Sequence, residues 1–314
     1  MNKNFIIQLV LTVAILSGIF YFWGGEIVNA LSLLSVGFSS ASFYFAIAIL
    51  ISAIFFEALR LLLILRTALQ NPPKYSYVLR LLFVSYFAGS WLPTSVGTEV
   101  IKVLYLRRVT KETPRIITSV FADRLIGFGA MIFIICLSGI FWFPQTDSNY
   151  LFWIILLSGS LFAVLTLLYC LKGPIYHFLE RFHWKYVDEA LKALTMIRWN
   201  QAILFFTISI FRWGLLVSCN YLMAQALGIS ISFWQLLLIV PLSEFAYFAP
   251  TINGLGAREA IYVLLAQMTV TNREAIALSL SWFLCSLVLM IIGAVFFFGK
   301  DFSIQFRSNQ STTR

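Results

Sequence analysis

Long apolar stretches dominate this sequence and constrain its fold more than any other feature. Six of them are long enough to cross about 30 Å of hydrocarbon, which takes about 20 helical residues. They are Phe5–Trp23, Ala41–Leu65, Ile117–Phe143, Tyr150–Leu171, Gln201–Ala224 and Ala275–Gly299. With 61% hydrophobic and only 11% charged residues, the chain lies far outside the range of soluble domains. We therefore expect an all-α polytopic membrane protein that forms one integral membrane domain over residues 1–314.

The distribution of lysine and arginine predicts the orientation of these spans. Seventeen of the 22 basic residues fall before the first span, between the second and third, between the fourth and fifth, or after the sixth. Three more lie within spans, which leaves Arg258 and Arg273 for the opposite side. Basic loops favour the cytoplasmic face of a membrane. We therefore expect a multi-pass protein of the cell (inner, or cytoplasmic) membrane with both termini in the cytoplasm, and its net charge of +9 suits anionic lipid rather than nucleic acid.

Two further apolar stretches, near residues 81–92 and 233–249, are shorter and are interrupted by Pro and Gly. Basic residues flank the first on both sides, so a single crossing there would put one basic cluster outside. We expect two re-entrant broken-helix hairpins instead, over residues 76–106 and 233–269. Broken backbone at membrane depth needs protein or a water-filled cavity around it. The alternative is two ordinary short spans, which gives eight crossings.

Residues 174–197 carry apolar side chains at helical spacing with polar side chains between them. This pattern is typical of an amphipathic helix at the cytoplasmic interface. The two histidines of the chain, His177 and His183, belong to its polar positions, and we expect both to be solvated. The start of the chain has some features of a signal peptide, but Phe5–Trp23 is long and ends without a small-x-small cleavage site, so we interpret it as a span.

The sequence contains no signature of a metal site, a cofactor or an enzymatic reaction. Its four cysteines all lie inside apolar runs, where they are expected to act as small hydrophobic residues. No phosphate-binding G-x-x-x-x-G-K-[ST] loop is present, so we expect no ATP hydrolysis. We therefore expect no cofactor, no catalytic residue and no bound metal.

The two interrupted stretches resemble each other. Each contains Pro-Thr, a Gly four residues after the Pro, an acidic residue shortly after a Gly, and then a new helix. The copies are predicted to enter from opposite faces, which is the pattern of an inverted-topology repeat whose discontinuous helices form a substrate site at the midplane. Pro ends the first half-helix and Gly permits the turn. The unpaired N–H groups of the second half-helix are then suited to an anion such as a lipid phosphate.

Ionisable residues at membrane depth are the main functional candidates, because charge there costs from about 2.5 to more than 10 kcal/mol. The candidate substrate-binding residues in or beside the interrupted stretches are Pro93, Gly97, Glu99, Lys102, Asp123, Arg124, Asn253, Gly254, Gly256, Arg258 and Glu259. Candidates for proton coupling or for structural ion pairs are Glu57, Arg60, Arg212 and Glu244.

The spacing of these charges predicts some of the pairing. Glu57 and Arg60 lie three residues apart and can pair directly on one helix. Asp123 and Arg124 point about 100° apart, so each needs a partner on another element. The alternative to a functional role is that such pairs only lock the helix bundle.

Three segments carry a family resemblance. The block from Phe87 to Lys102, followed by Leu106-Arg107-Arg108, is similar to an "LP…GGD…R…RR" signature. Ser119–Gly127 is similar to a "DR(L)xG" span, and Asn253–Glu259 to an "NGxGxRE" segment. Together they resemble the lysylphosphatidylglycerol-synthase transmembrane-region, or flippase-like, family. Two departures are that Thr98 stands where the signature has its second Gly, and Glu99 where it has Asp.

The resemblance implies translocation of a lipid across the bilayer. Its substrate is expected to be a phospholipid or a polyprenyl-phosphate-linked lipid, with Lys102 and Arg258 on the phosphate and Glu99, Asp123 and Glu259 holding those cations. The soluble aminoacyltransferase domain of full-length synthases is not found here, so we expect no lysyl transfer and no enzyme. Two alternatives stay open: an integral-membrane lipid or glycolipid transferase, and a non-catalytic membrane subunit beside a glycosyltransferase or lipid-modifying enzyme.

Overall fold

A computed structural model describes residues 25, 32–34, 37–90, 97–110, 112–142, 156–161, 197–248, 257–266 and 270–299. These parts of the chain are mainly α-helices. The helices are α1 Ala41–Ala68, α2 Tyr75–Gly89, α3 Gly97–Val109, α4 Thr113–Trp142, α5 Trp199–Ala226, α6 Phe233–Ser243, α7 Ala257–Ala266 and α8 Asn272–Phe298. A 3-10 helix, Glu244–Phe248, continues directly from α6. The prediction of an all-helical membrane protein is confirmed for the described residues.

Four of these helices are long and apolar enough to cross a membrane: α1, α4 as far as Gly139, α5 and α8. They coincide with four of the six predicted spans. The predicted spans Phe5–Trp23 and Tyr150–Leu171 and the amphipathic helix over residues 174–197 lie outside the described residues, apart from the helical piece 156–161 and Ile197.

Local sequence signals determine where several helices begin and end. At the start of α8, Thr271 Oγ1 accepts the backbone N–H of Glu274, whose carboxylate accepts the N–H of Thr271 in return. The end of α5 is a Schellman motif, in which Ile229 N–H donates to Ala224 C=O and Gly228 N–H to Gln225 C=O. Gly228 has a φ of 70°, the left-handed conformation that this ending requires.

Helices α2 and α3 form an antiparallel hairpin. Near its open end, Tyr77 Oη on α2 donates to Tyr105 C=O on α3 at 3.0 Å. At its closed end, the backbone of Gly89 lies so close to Thr98 that an added Cβ would be 2.8 Å from the Thr98 backbone. The glycine at the end of α2 therefore permits the tight approach of the two helices.

The helices divide into two halves of matching dimensions, a first half α1–α4 and a second half α5–α8. Helices α1 and α5 each have 28 residues, and the connections that follow them, 69–74 and 227–232, have equal length. The later helices of each half begin at corresponding positions to within two residues. The two halves therefore share one order of a long helix, a short pair and a second long helix.

The packing of the helices repeats between the halves as well. The contact between α1 and α5 corresponds to itself when the two halves are exchanged. Among the described residues, every other substantial contact between two α-helices has an equivalent with the halves exchanged. Helix α2 packs on α8 as α6 packs on α4, so the short pair of each half lies against the last helix of the other half. The pairs α2–α3 and α6–α7, α3–α4 and α7–α8, and α1–α4 and α5–α8 correspond in the same way.

Helices α1 and α5 lie antiparallel at the centre of this arrangement. Gly37, just before α1, lies against Leu227, just after α5, while Phe56 and Phe211 stack edge-on with their ring centroids 4.6 Å apart. Because the short pairs follow the C-terminal ends of α1 and α5, they start at opposite ends of the bundle. This geometry brings polar side chains from both halves together near the middle of α1 and α5.

Candidate functional site

Glu57, in the middle of α1, is the centre of a buried ion network. Its Oε2 accepts a hydrogen bond from Tyr86 Oη at 2.8 Å and lies 3.1 and 2.9 Å from Nε and Nη2 of Arg212. Its Oε1 lies 3.2 Å from Nζ of Lys102. Tyr86 belongs to α2, Lys102 to α3 and Arg212 to α5. One carboxylate therefore holds two cations and joins four helices from both halves of the protein.

Arg60, one turn further along α1, pairs with Asp123 on α4. Its Nε lies 2.7 Å from Asp123 Oδ1, and its Nη1 donates to Ser209 Oγ on α5 at 2.8 Å. The guanidinium also lies against Gly127, where an added Cβ would be 3.3 Å from Nη1. The predicted direct Glu57–Arg60 pair is therefore wrong, because each residue finds a better-placed partner on another helix.

A fourth ion pair joins Glu99 at the start of α3 to Arg124 on α4. Arg124 Nη1 lies 2.6 Å from Glu99 Oε1, while Thr98 Oγ1 donates to Glu99 Oε2 at 2.9 Å. The Arg124 guanidinium also lies over the Phe128 ring, 5.1 Å from its centroid. The expectation that Asp123 and Arg124 find partners on other elements is confirmed, since Asp123 binds Arg60 and Arg124 binds Glu99.

The corresponding region of the second half uses aromatic contacts. The Arg258 guanidinium on α7 lies 4.9 Å from the Trp282 ring centroid on α8 and 5.8 Å from that of Tyr262. Tyr262 Oη donates to Asn220 Oδ1 on α5 at 2.8 Å, and Ser279 Oγ on α8 donates to Glu259 Oε1 at 3.1 Å. Helix α7 is therefore held to both α5 and α8 by buried polar contacts.

Glu244 is the residue at which α6 passes into the 3-10 helix. It interacts electrostatically with Arg258, Arg212 and Arg124. Among the described residues it forms no ion pair within 4.0 Å. Tyr86 and Glu244 occupy matching positions, each 11 residues after the first residue of α2 or α6. From the first half to the second, the charged side chains therefore alternate in sign, in the order Lys102, Glu57, Arg212, Glu244 and Arg258.

Access to solvent or lipid differs across the network. The side chains of the Arg60–Asp123 and Lys102–Glu57 pairs are at most 7% exposed. Arg124 is 22% exposed, and Glu99 and Arg212 are each 16% exposed. A charge taken out of water needs partners, because its desolvation costs several kcal/mol. The network is therefore sealed around Arg60 and opens on the side of Arg124.

The structure brings most of the candidate residues of the sequence analysis together. Gly97 is buried at the start of α3, and Lys102, Asp123, Arg258 and Glu259 are also buried. Four candidates, Pro93, Asn253, Gly254 and Gly256, lie outside the described residues. Within the part of the chain that the structure describes, no three His, Cys, Asp or Glu side chains are arranged to hold a metal ion.

Sequence analysis missed the uncharged partners in the network, which are Tyr86, Ser209, Asn220, Tyr262, Ser279 and Trp282. Helical spacing offered a signal for two of them. Ser209 lies three residues before Arg212, and Tyr262 lies four residues after Arg258, so each shares a helix face with a candidate charge. Asn220 lies eight residues after Arg212 on α5, whereas Tyr86, Ser279 and Trp282 lie on helices without a candidate charge, and only the tertiary structure brings them to the site.

Comparison with known proteins gives one family. The lysylphosphatidylglycerol synthase TM region family matches residues 5–293, which is nearly the whole chain. The chain belongs to this family. No curated protein and no solved structure matches it. With four apolar helices of spanning length, membership of this family makes the chain a multi-pass membrane protein.

The segments that resembled this family in sequence contribute most of the ion network. The first supplies Glu99 and Lys102, and the second supplies Asp123 and Arg124. The first departure from the family signature, Thr98, donates its hydroxyl to the second, Glu99. A glycine at position 98 has no hydroxyl, so this contact depends on the side chain that the present chain carries. The Glu99 carboxylate reaches Arg124, so the acidic residue at this position forms an ion pair in the present chain.

Proposed function

We propose that this protein is a flippase-like transporter that moves a lipid with an anionic phosphate headgroup across the cytoplasmic membrane. The single observation that carries the proposal is the buried ion network between the two halves of the chain. Ionisable residues at membrane depth are costly and characteristically mark pathways for ions or polar substrates. Family membership adds that the chain is related to the membrane region of a lipid-modifying enzyme.

The short helix pairs act, in this proposal, as two re-entrant hairpins of an inverted-topology repeat. Helix α2 has 15 residues and α3 has 13, so each is about 20 Å long and shorter than the hydrocarbon thickness. Tyr86 near the end of α2 contacts Glu57 in the middle of α1, which supports a hairpin that reaches about half-way through the bilayer. The antiparallel arrangement of α1 and α5 supports insertion of the second pair from the opposite face.

The partly exposed cations are the proposed contacts of the lipid phosphate. Arg124 and Arg212 are accessible, whereas Lys102 is buried and bound to Glu57. We infer that a phosphate binds Arg124 and Arg212 first, reaches Lys102 only when Glu57 moves, and contacts the buried Arg258 later. Glu244 lies near these arginines without an ion pair among the described residues, so it is the proposed carboxylate for proton coupling. No ATP hydrolysis and no covalent chemistry are required of this chain.

A reconstituted translocation assay tests this function. Purified protein in vesicles that contain fluorescent phosphatidylglycerol is expected to speed the exchange of the probe between leaflets, measured by reduction of the outer label with dithionite. Protein-free vesicles and vesicles with an unrelated helical membrane protein are the controls. Leaflet exchange no faster than in these controls would overturn the proposal. Consumption of a donor lipid with release of a product would also overturn it, and would indicate a transferase.

A further inference from the structure

Helices α3 and α4 carry exposed apolar side chains that border the Glu99–Arg124 pair. On α3, Val100 and Leu104 are 44% and 49% exposed. On α4, Ile117 and Phe121 are 47% and 50% exposed. Spacings of three and four residues put Ile117, Phe121 and Arg124 on one face of α4, while Val100 directly follows Glu99. We call the surface formed by Val100, Leu104, Ile117 and Phe121 the α3–α4 seam.

Basic residues lie at both ends of the seam. Arg107 and Arg108, in the last turn of α3, and Arg115, in the first turn of α4, are exposed at the end where the two helices connect. Arg124 lies at the opposite end, about 14 Å further along α4 from Arg115 at 1.5 Å per residue. An apolar surface with cations at both ends matches a phospholipid, whose acyl chains need apolar contact and whose phosphate needs positive charge.

We propose that the α3–α4 seam is the lateral route by which an anionic phospholipid reaches the ion network, and that the Glu99–Arg124 pair is its gate. This inference rests on the proposed function and names the path and the first binding step. The phosphate moves from Arg107 and Arg108 to Arg124 while the acyl chains stay on the seam. It then replaces Glu99 on the Arg124 guanidinium, and no covalent bond changes.

The surroundings of the pair suit such an exchange. Glu99 has a second contact, the Thr98 hydroxyl on its Oε2, which remains when its Oε1 leaves Arg124. Arg124 is anchored over Phe128, so the guanidinium keeps its position when the carboxylate departs. Its 22% exposure contrasts with that of Asp123, its neighbour on α4, which is 4% exposed in the sealed pair with Arg60. Of these two pairs, only Glu99–Arg124 can therefore meet a lipid headgroup without unpacking of the bundle.

Photocrosslinking from the seam tests this proposal without relying on transport. Phe121 is replaced by p-benzoylphenylalanine, and the protein is irradiated in nanodiscs that contain equal amounts of phosphatidylglycerol and phosphatidylcholine. Val295 on α8, which is 67% exposed, receives the same replacement as the control for an exposed apolar surface outside the seam. Mass spectrometry then gives the ratio of the two lipid adducts at each position.

The two partners of the ion pair are expected to give opposite effects. Phosphatidylglycerol is expected to exceed phosphatidylcholine about threefold or more at position 121, with no preference at position 295, because one accessible cation favours the anionic lipid. Glu99→Gln should raise this preference by freeing Arg124, whereas Arg124→Gln should abolish it. A structural role alone predicts the same change for both variants, since both break one ion pair.

Several results would overturn the seam as a lipid route. They are equal ratios at positions 121 and 295, the same change in both gate variants, and crosslinked dimers of the chain in place of lipid adducts at position 121. If one gate variant does not fold, the other variant and the control at position 295 still test the route, because the expected change in the lipid ratio has a defined direction for each variant. A preference for phosphatidylglycerol at position 121 without leaflet exchange in vesicles would reject the transport proposal alone. Leaflet exchange without that preference would reject the lipid route along the seam alone.

Discussion

At the scale of single residues, the partners of Arg60 determine where the ion network is sealed. The spacing of Arg60 from Glu57 permits a contact within α1. In the folded protein its guanidinium instead reaches Asp123 and Ser209 on two other helices. A partner that is 63 positions away leaves no periodic signal in one sequence. The uncharged partner Tyr86 on α2 was missed for the same reason.

Removing one partner of the sealed pair is expected to destabilise the protein strongly. Arg60→Gln leaves Asp123 buried without its cation, which typically costs about 3–5 kcal/mol. The double variant Arg60→Gln/Asp123→Asn is expected to recover part of this loss, because no uncompensated charge remains. Thermal unfolding in detergent measures both effects.

The more exposed pair provides the matched comparison. Arg124→Gln should cost less stability than Arg60→Gln, because solvent screens the charge that Glu99 retains. Equal unfolding temperatures for the Arg60→Gln variant and the wild type would contradict a buried ion pair between Arg60 and Asp123. A larger loss for Arg124→Gln would reverse the assignment of the sealed and open sides.

At the scale of helices, the long apolar elements were predictable and the details of their contacts were not. Hydropathy predicted α1, α4, α5 and α8 because each is apolar over a full membrane thickness. Close helix contacts depend on single small residues whose partners lie far away in sequence. Gly293 on α8 is an example, since an added Cβ would overlap the Phe83 carbonyl of α2.

Gly293→Ala is expected to force α2 and α8 apart and to lower the stability of the protein by about 1–3 kcal/mol, the usual cost of overpacking. Gly214→Ala on α5 is the matched control, because an added Cβ there meets nothing within 4 Å. That change should be neutral or should stabilise the helix by up to about 1 kcal/mol. Unfolding temperatures of the two variants in detergent provide the measurement, and a Gly293→Ala protein as stable as Gly214→Ala would contradict the close packing of α2 on α8.

At the scale of the whole molecule, the account depends on two halves that repeat in helix length, spacing and packing. In the sequence, this repeat was visible only in the two short apolar stretches that Pro and Gly interrupt. The long helices α1 and α5 match in length but share little sequence, since each half contributes different residues to the same interface. Equivalent positions therefore hold unlike side chains, as Tyr86 and Glu244 do, and pattern comparison cannot align them.

The inverted arrangement makes a prediction about the connections after α1 and α5. Cysteines introduced at Gln70 and at Ser230, both exposed, should be labelled by a membrane-impermeant maleimide from opposite faces of the membrane. The distribution of basic residues predicts that Gln70 faces the cytoplasm and Ser230 the exterior. Labelling of intact cells and of inverted vesicles, in a background without the native cysteines, tests both. Labelling of the two positions from the same face would contradict an inverted repeat.

The most direct test of the central claim compares translocation by the wild type, Arg212→Gln and Arg273→Gln in matched vesicles. Arg212 joins the two halves through Glu57, whereas Arg273 lies at the start of α8, away from the ion network. A lost charge-assisted hydrogen bond to the phosphate costs about 1.5–3 kcal/mol, so Arg212→Gln should slow the exchange of fluorescent phosphatidylglycerol about tenfold or more. Arg273→Gln should retain the wild-type rate. Equal rates for all three proteins at equal reconstitution would contradict the claim that the buried ion network handles the lipid headgroup.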